Sequence, residues 1–400
     1  GSGLTNIAGI FFLKDYLNLS AAFIASLGFW VGIPWALKMP VGFLVDRFWK
    51  IKNYIVYAGS IIIFFSLLII YLLLTKRVLM ETYLSAENWY IISALLTPIG
   101  YVLQDVVADA MTVEAVDYVF KNKKKDKFYD GLIKREHTLL QMYGRFSIIL
   151  GSLLVSFINL LFFYNMDKMD ASSVNDTYSK LYLFSFIIPL ISSIGVFFYS
   201  IFAKKDQYHK PKKLTSLDLK IFFTSLVFVV AALILGTINF RFSQEIILII
   251  SLFLISLLMN FLMRTLDNEK KLTIVGTAII IFIYRSVPGP GPGINWFEID
   301  VLKFDQFFFS VLSIISASLT LLSIIYFKKF MIKTPISKLF VILSIISALL
   351  YLPSIFMVYG IHNITSSLTN GIVDARFIAI INTGVESPIA QIAMIPLLAW

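Results

Sequence analysis

The sequence predicts an all-α polytopic membrane protein, and three observations carry this prediction. Hydrophobic residues make up 58% of the 400 positions and charged residues 14%, whereas soluble domains average roughly 45–50% and 25%. Long windows such as residues 61–74 and 246–262 contain no charged side chain. Short segments rich in lysine and arginine lie between these windows, which is typical of membrane-crossing helices and the loops that join them.

Twelve apolar segments are predicted to be helical, the first of them only in part. A bilayer core needs about 20 residues per helix, and most of the segments reach this length. They cover about residues 3–17, 20–45, 54–75, 89–118, 137–164, 180–203, 218–240, 244–264, 271–287, 303–327, 335–359 and 370–400. The first is too short to cross and the last runs apolar to Trp400, so we expect both ends to be incomplete.

The basic residues favour one side of the membrane. The connection after the second helix holds Arg47, Lys50 and Lys52, and every second connection after it is also basic. The alternate connections, such as residues 165–179, are poorer in lysine and arginine. The positive-inside rule therefore predicts a cytoplasmic N-terminus in a plasma or inner membrane. These loops account for the net charge of +10, so a nucleic-acid partner is not expected.

Composition also narrows the chemistry. Cysteine is absent and only three widely spaced histidines occur, so thiol catalysis is excluded and neither a metal nor another cofactor is expected. No phosphate-binding Gly-x-x-x-x-Gly-Lys-Ser/Thr sequence occurs, which argues against ATP-driven pumping. The expected partners are a small-molecule solute, a proton or other coupling ion, and the lipid bilayer. We expect a monomer.

The segment after the second helix reads Gly42-Phe-Leu-Val-Asp46-Arg47 and is followed by Lys50. It resembles the Gly-x-x-x-Asp-Arg loop of the major facilitator superfamily. Glycine would let two helices approach closely, and Asp46 would bind a cation or cap a helix N-terminus. The resemblance implies a cytoplasmic gate; the alternative is a short basic loop with one chance aspartate.

Four further motifs, in the order given along the chain, narrow the resemblance to one family of that superfamily. They are Pro34-Trp35-Ala-Leu-Lys38, Gln104-Asp105-Val-Val-Ala-Asp109, Arg285-Ser-Val-Pro288 and Glu386-Ser-Pro388. Together they resemble the folate–biopterin transporter family of that superfamily. The resemblance implies a two-bundle fold and proton-coupled secondary transport of a folate- or pteridine-like solute, not an enzyme.

One departure from the family concerns helix order. The Arg-x-x-Pro helix is the seventh in the family, whereas here it is the ninth, which implies an inserted helix pair. The predicted organisation is a six-helix N-terminal bundle over residues 1–203, a cytoplasmic linker at 204–217, the inserted pair at 218–264, and a C-terminal bundle over 271–400 that lacks its last two helices.

Asp105 and Asp109 are the leading candidates for solute binding and proton coupling, together with the neighbouring Gln104. Their spacing of four residues places both carboxylates on one helical face, near or just below the middle of the membrane. Two like charges this close favour binding of a proton by one of them. The alternative is a pair of structural carboxylates tied to a neighbouring helix.

Other charged residues are predicted on weaker grounds. Arg145 and Glu114 are expected to form an ion pair of the gate, with solute binding as the alternative for Arg145. Arg285 either faces a cavity at a helix broken by Pro and Gly, where it would bind a carboxylate or heteroaromatic edge, or extends to an outer loop. Glu386 is a candidate for the transport pathway.

Aromatic side chains could stack on a flat solute, and the candidates are Trp30, Trp35 and Tyr101. Three competing functions remain open. A related facilitator could carry another solute, such as a muropeptide or an acyl carrier. A polytopic membrane enzyme would need acids and histidines clustered at one membrane face, and a receptor on this scaffold would bind without transport.

Overall fold

The computed structural model describes residues 3–48, 51–120, 129–202, 216–237, 242–263, 267–286, 291–333 and 336–398. Helices account for nearly all of these residues, and no strand occurs among them. Seven helical stretches in this described part are long and apolar enough to cross a membrane: Ala21–Arg47, Lys52–Thr75, Ala86–Met111, Met142–Phe163, Ser172–Ile201, Gln306–Phe327 and Val341–Val358. The predicted class, an all-α polytopic membrane protein, is confirmed.

Every predicted segment is at least partly helical. The helices are α1 Asn6–Phe11, α2 Ala21–Ala36, α3 Lys38–Arg47, α4 Lys52–Thr75, α5 Arg77–Glu81, α6 Ala86–Phe120, α7 Tyr129–Phe163, α8 Ala171–Ser185, α9 Ile187–Phe202, α10 Ser216–Thr237, α11 Ser243–Met263, α12 Asn268–Ser286, α13 Gly293–Asp300, α14 Gln306–Lys333, α15 Ile336–Leu350, α16 Leu352–Val358, α17 Ile361–Leu368 and α18 Ala375–Leu398. A π-helical turn, Phe12–Tyr16, follows α1.

Three of the predicted helices are interrupted by a single non-helical residue, at Leu37, Phe186 and Tyr351. In each case a proline lies in the first turn of the second half, at Pro40, Pro189 and Pro353. A proline ring clashes with the carbonyl four residues earlier and offers no N–H to it, whereas the first turn of a helix needs no such donor. The breaks therefore follow from the prolines.

The described chain forms two compact units. The first unit comprises Gly1–Ala21, Ala115–Leu181 and Pro292–Trp400. Within it α14 packs along both α7 and α18, and α15 packs on α18. A core of buried side chains lies where α14, α16 and α18 meet: Leu302, Phe304, Phe308, Met357, Ala375 and Ala379. This unit positions Glu386 and Arg145.

The second unit comprises Ala22–Glu114 and Tyr182–Gly291. Its core is built mainly of valines from α3, α4 and α6, namely Val45, Val56, Val102, Val106 and Val107. Helix α9 packs along α4. This unit positions Lys38, Asp105 and Asp109. The linker predicted at 204–217 lies almost entirely outside the described residues, so the predicted division of the chain stays a prediction.

The predicted inserted pair corresponds to α10 and α11, which pack on each other in the second unit. Helix α10 also packs on α3, where the rings of Phe43 and Phe222 lie 5.1 Å apart. Large apolar side chains on the pair remain exposed, including Phe223, Ile249 and Phe253. Exposed apolar side chains on a helix surface, such as these, suit contact with lipid.

Helices α4 and α6 meet along a seam of small and hydroxyl-bearing residues. The Ser66 hydroxyl lies 3.0 Å from the Ser93 hydroxyl and 2.5 Å from that of Thr97. Further along the same seam, a Cβ on Gly59 would lie 2.7 Å from the Gly100 carbonyl oxygen. Close helix approach of this kind replaces the hydrophobic driving force that lipid does not provide.

We expect alanine at Gly59 or Gly100 to destabilise the fold. A Cβ on Gly100 would lie 2.6 Å from Ile63 Cγ1 and 2.7 Å from the Gly59 carbonyl, so α4 and α6 would have to separate. Overpacking typically costs about 1–3 kcal/mol, which thermal unfolding in detergent would detect. Gly28→Ala is the matched control, because a Cβ on Gly28 would meet nothing within 4 Å. Equal unfolding temperatures for all three variants would contradict the seam.

Candidate functional site

The break between α2 and α3 brings a charged residue to an irregular stretch of backbone. Pro34 and Pro40 have no N–H, so the carbonyls of Trp30 and Ala36 lack their usual helical donors. Lys38 is the first residue of α3, directly after the break. Discontinuous helices of this type are a feature of solute and ion sites in transporters, where freed backbone groups face a ligand.

Lys38 lies between the two predicted aspartates. Its Nζ is 2.7 Å from Asp105 Oδ2 and 2.7 Å from Asp109 Oδ2. One ammonium therefore binds two carboxylates, and the three side chains carry a net charge of −1. We refer to Lys38, Asp105 and Asp109 as the charge triad. The sequence pointed to both acids and to the Pro-Trp-x-x-Lys motif, but it did not predict that Lys38 contacts the two acids.

Helix α6 presents the acids because its two faces differ. Val102, Val106 and Val107 are buried in the core of the second unit. Gln104 donates from Nε2 to the Ser60 hydroxyl on α4 at 2.8 Å. This bond helps to fix the rotation of α6, and the solute contact predicted for Gln104 stays a prediction.

The side chains of the charge triad are partly exposed. The side chains of Lys38 and Asp105 are each 41% exposed and that of Asp109 is 56% exposed. Tyr101 lies one helical turn before Asp105 and is 40% exposed, and Trp35 is 48% exposed. Trp30 is half-buried against Phe29, with ring centroids 5.6 Å apart. Two of the three predicted aromatic side chains, Trp35 and Tyr101, are therefore exposed. Each lies within one helical turn of a triad residue in the sequence.

The helix geometry gives the distance of the two acids from Trp89. With a rise of about 1.5 Å per residue, Asp105 lies about 24 Å and Asp109 about 30 Å along α6 from Trp89. A bilayer core is about 30 Å thick. Where the two acids lie within that thickness stays a prediction.

The predicted gate residues lie at the C-terminal end of a helix, which extends two residues beyond the predicted segment 20–45. Gly42, Asp46 and Arg47 all belong to α3, and the two charged side chains are exposed at its end. A Cβ on Gly42 would lie 3.8 Å from Val106 Cγ1, which is an ordinary contact. The close approach predicted at Gly42 therefore occurs at Gly59 and Gly100 instead. Lys50 lies outside the described residues.

The predictions for Arg145, Glu114 and Arg285 involve side chains or residues that lie partly outside the described part of the structure. Arg145 is half-buried on α7, but the side chain of Glu114 is not described, so their ion pair stays a prediction. Arg285 lies in the last turn of α12, which ends at Ser286, and its side chain is not described either. Residues 287–290 are outside the described part, so both interpretations of Arg285 stand.

Glu386 is half-buried on α18 and has defined partners in the first unit. Asn382 Nδ2 donates to Glu386 Oε2 and to the Ser354 hydroxyl, both at 3.2 Å. Ser354 follows Pro353 at the break between α15 and α16. A second acid therefore lies beside a second helix break.

Sequence reasoning missed Glu298, an acid on the short helix α13. Burial raises the pKa of this carboxyl to about 7. The folded protein then binds a proton that the unfolded chain releases near the ordinary value of 4.5. Between these two values the folded state holds more protons, so stability falls as pH rises.

We expect the unfolding temperature to fall between pH 5 and pH 8, and Glu298→Gln to reduce this fall because the amide carries no charge at either pH. Thermal unfolding across this range measures the difference. Glu87→Gln is the control, since Glu87 is exposed in the first turn of α6. If Glu298→Gln and wild type lose stability in parallel, Glu298 does not hold a proton in the folded state.

Comparisons with known proteins give no relative: no protein-family model matches the chain, and no curated protein matches it. Among the described residues, no group of three or more His, Cys, Asp or Glu side chains is arranged to hold a metal ion. The fold and the triad thus define a multi-pass α-helical membrane protein with a partly exposed cluster of charged side chains. The family resemblance rests on its motifs.

Proposed function

We propose that the chain is a secondary active transporter of a small organic solute. The observation that carries this proposal is the charge triad, in which Lys38 at a helix break binds two carboxylates of a neighbouring helix at 2.7 Å. Charged side chains within membrane helices are expensive and mark solute or ion pathways. A purely structural ion pair would need one acid, whereas this site has two.

The second acid suggests how the site would couple two ligands. Protonation of Asp109 or Asp105 removes one negative charge and frees one hydrogen-bonding position on the Lys38 ammonium. An anionic group of the solute can then take that position, so that the local charge is the same before and after binding of a proton and an anion. Binding of either ligand favours the other, which is the thermodynamic requirement for symport.

The solute class follows from the groups around the triad. A carboxylate would pair with Lys38, and a flat ring could stack on the exposed faces of Trp35 or Tyr101. A folate- or pteridine-like solute combines these features, in agreement with the resemblance of the motifs. The N-terminus is proposed to be cytoplasmic, as the distribution of basic loops favours.

The alternative functions predict different results. A facilitator for muropeptides or acyl carriers would use the same triad with a different solute. An enzyme would convert its substrate, and a receptor would bind without net movement.

Counterflow in proteoliposomes separates these functions. The purified chain is reconstituted, loaded with unlabelled solute and given traces of labelled folic acid, biopterin or a muropeptide. A transporter concentrates the label transiently inside, whereas an enzyme alters it chemically and a receptor shows neither effect. A thermal-shift screen with the same solutes identifies which one binds, because bound ligand adds RT ln(1 + [L]/Kd) to stability.

A further inference from the structure

The group formed by Ser354, Asn382 and Glu386 in the first unit has an unmet bonding requirement. Asn382 is 9% exposed, and its Oδ1 is a buried oxygen without a hydrogen-bond partner among the described residues. Leaving such an atom unsatisfied is unfavourable, because its hydrogen bonds to water are lost on folding and are not replaced. The arrangement as it stands is therefore incomplete.

Rotating the amide does not remove the problem. An asparagine side chain can present either its nitrogen or its oxygen to the same neighbours. With the nitrogen inward, that is, facing Glu386 and Ser354, Asn382 donates to Glu386 Oε2 and Ser354 Oγ at 3.2 Å. Oδ1 then has no hydrogen-bond partner among the described residues. With the oxygen inward, Nδ2 takes the position without a partner and three oxygens face one another; the Ser354 hydroxyl can donate to only one of the other two, whereas a cation can bind all three.

The backbone beside this group adds carbonyl oxygens that could bind a cation. Pro353 cannot donate to the carbonyl of Leu349, four residues earlier. Helix α15 ends at Leu350, so its carbonyl end, which carries a partial negative charge, lies at the same break as Ser354. Unwound carbonyls and half-helix C-terminal ends are known surroundings for sodium ions in transporters.

We propose that Glu386, Asn382 and Ser354 form a binding site for a sodium ion. Hard cations take oxygen ligands at about 2.3–2.6 Å, and neighbouring ligands in such a shell are then about 3.3 Å apart. The two N···O separations of 3.2 Å around Asn382 lie close to this spacing, so the amide oxygen would have neighbouring ligands at a suitable distance if it occupied the inward position. Glu386 supplies the one formal negative charge among the three side chains, which balances a monovalent ion.

Sodium binding at this site is independent of the charge triad, which belongs to the second unit. The site stands as an ion-binding site whether or not the chain transports a solute. A role for sodium as a coupling ion rests on the proposed function. Failure of the two ideas is distinguishable, because ion binding is measured without any solute present.

The test is thermal unfolding of the purified chain in NaCl, KCl or choline chloride at constant ionic strength and pH. We expect a tenfold excess of Na⁺ over its Kd to raise the unfolding temperature by about 2–4 °C, with no such rise in K⁺ or choline. Glu386→Gln should remove the sodium-specific rise. Ser323→Ala is the control, because it deletes a buried hydroxyl on α14 that bonds to Thr320, and it should keep the rise.

Asn382→Asp keeps an inward oxygen and adds a second negative charge, so it should shift half-saturation to at least tenfold lower Na⁺. This variant keeps the test decisive if Glu386→Gln fails to fold. Three results would overturn the site: equal stabilisation by Na⁺, K⁺ and choline, an undiminished sodium-specific rise in Glu386→Gln, or unchanged sodium affinity in Asn382→Asp.

Discussion

Lys38→Met is expected to reduce solute uptake by about 10- to 100-fold. Methionine keeps the length of the side chain but leaves Asp105 and Asp109 without the ammonium that lies 2.7 Å from each. Hydrogen bonds to charged groups contribute about 1.5–3 kcal/mol, and each 1.4 kcal/mol is a factor of ten in rate or affinity. Initial rates of counterflow in proteoliposomes give this measurement directly.

The control for Lys38→Met is Lys180→Met. Lys180 pairs with Asp176 on the surface of α8 at 2.6 Å, with both side chains more than half exposed, and surface pairs of this kind contribute little. The double variant Lys38→Met with Asp105→Asn removes one positive and one negative charge together. We expect it to recover thermal stability without recovering uptake. Full uptake by Lys38→Met would show that the triad is not part of the solute site.

Asp109→Asn is expected to abolish accumulation driven by a pH gradient while exchange of solute survives. Asparagine resembles the protonated aspartate and cannot change charge, so the solute could still pair with Lys38 but no proton would move with it. Asp105→Asn should behave in the same way, or abolish binding if Asp105 contacts the solute.

Each aspartate variant is assayed twice, with an imposed pH gradient and in counterflow without one. Asp176→Asn serves as the control, because Asp176 is exposed and paired only with its neighbour on α8 among the ion pairs described. If both triad variants still concentrate solute as wild type does, the acids are structural and tied to Lys38. The ion pair would then hold α3 against α6.

The sequence was sufficient to predict where the helices lie. Windows without charge have to be helical in lipid, where each backbone polar group needs a partner within its own segment, and every predicted segment contains a helix. The breaks at Leu37, Phe186 and Tyr351 were not predicted. The prolines that cause them were visible, but whether a proline breaks a helix depends on neighbouring packing: Pro98 lies within the uninterrupted α6.

The site was predicted in part. The spacing of Asp105 and Asp109 follows from helical periodicity alone, and the structure keeps both on one face of α6. The partner Lys38 is 67 residues from Asp105, and no local rule pairs two helices across such a distance. The bond from Gln104 to Ser60 was missed for the same reason, since it depends on how α4 packs on α6.

The contact at Gly42 shows a different limit. A glycine in a familiar motif suggested a tight helix crossing, yet Gly59 and Gly100 make the close approach. Glycine has no side chain from which a contact could be recognised, and only the packed helices reveal which one needs the space. The hydroxyls of Ser66, Ser93 and Thr97 on the same two helices are the sequence feature that could have identified this seam.

The central claim is that the charge triad couples solute movement to proton movement. The most direct measurement is accumulation of labelled folic acid or biopterin in proteoliposomes, with an inward pH gradient and after its collapse by a protonophore. The account predicts an internal concentration above the external one with the gradient, equality after collapse, and equality throughout for Asp109→Asn. Accumulation that persists in Asp109→Asn and Asp105→Asn, or a wild-type concentration that never exceeds equality for any solute that binds, would contradict it.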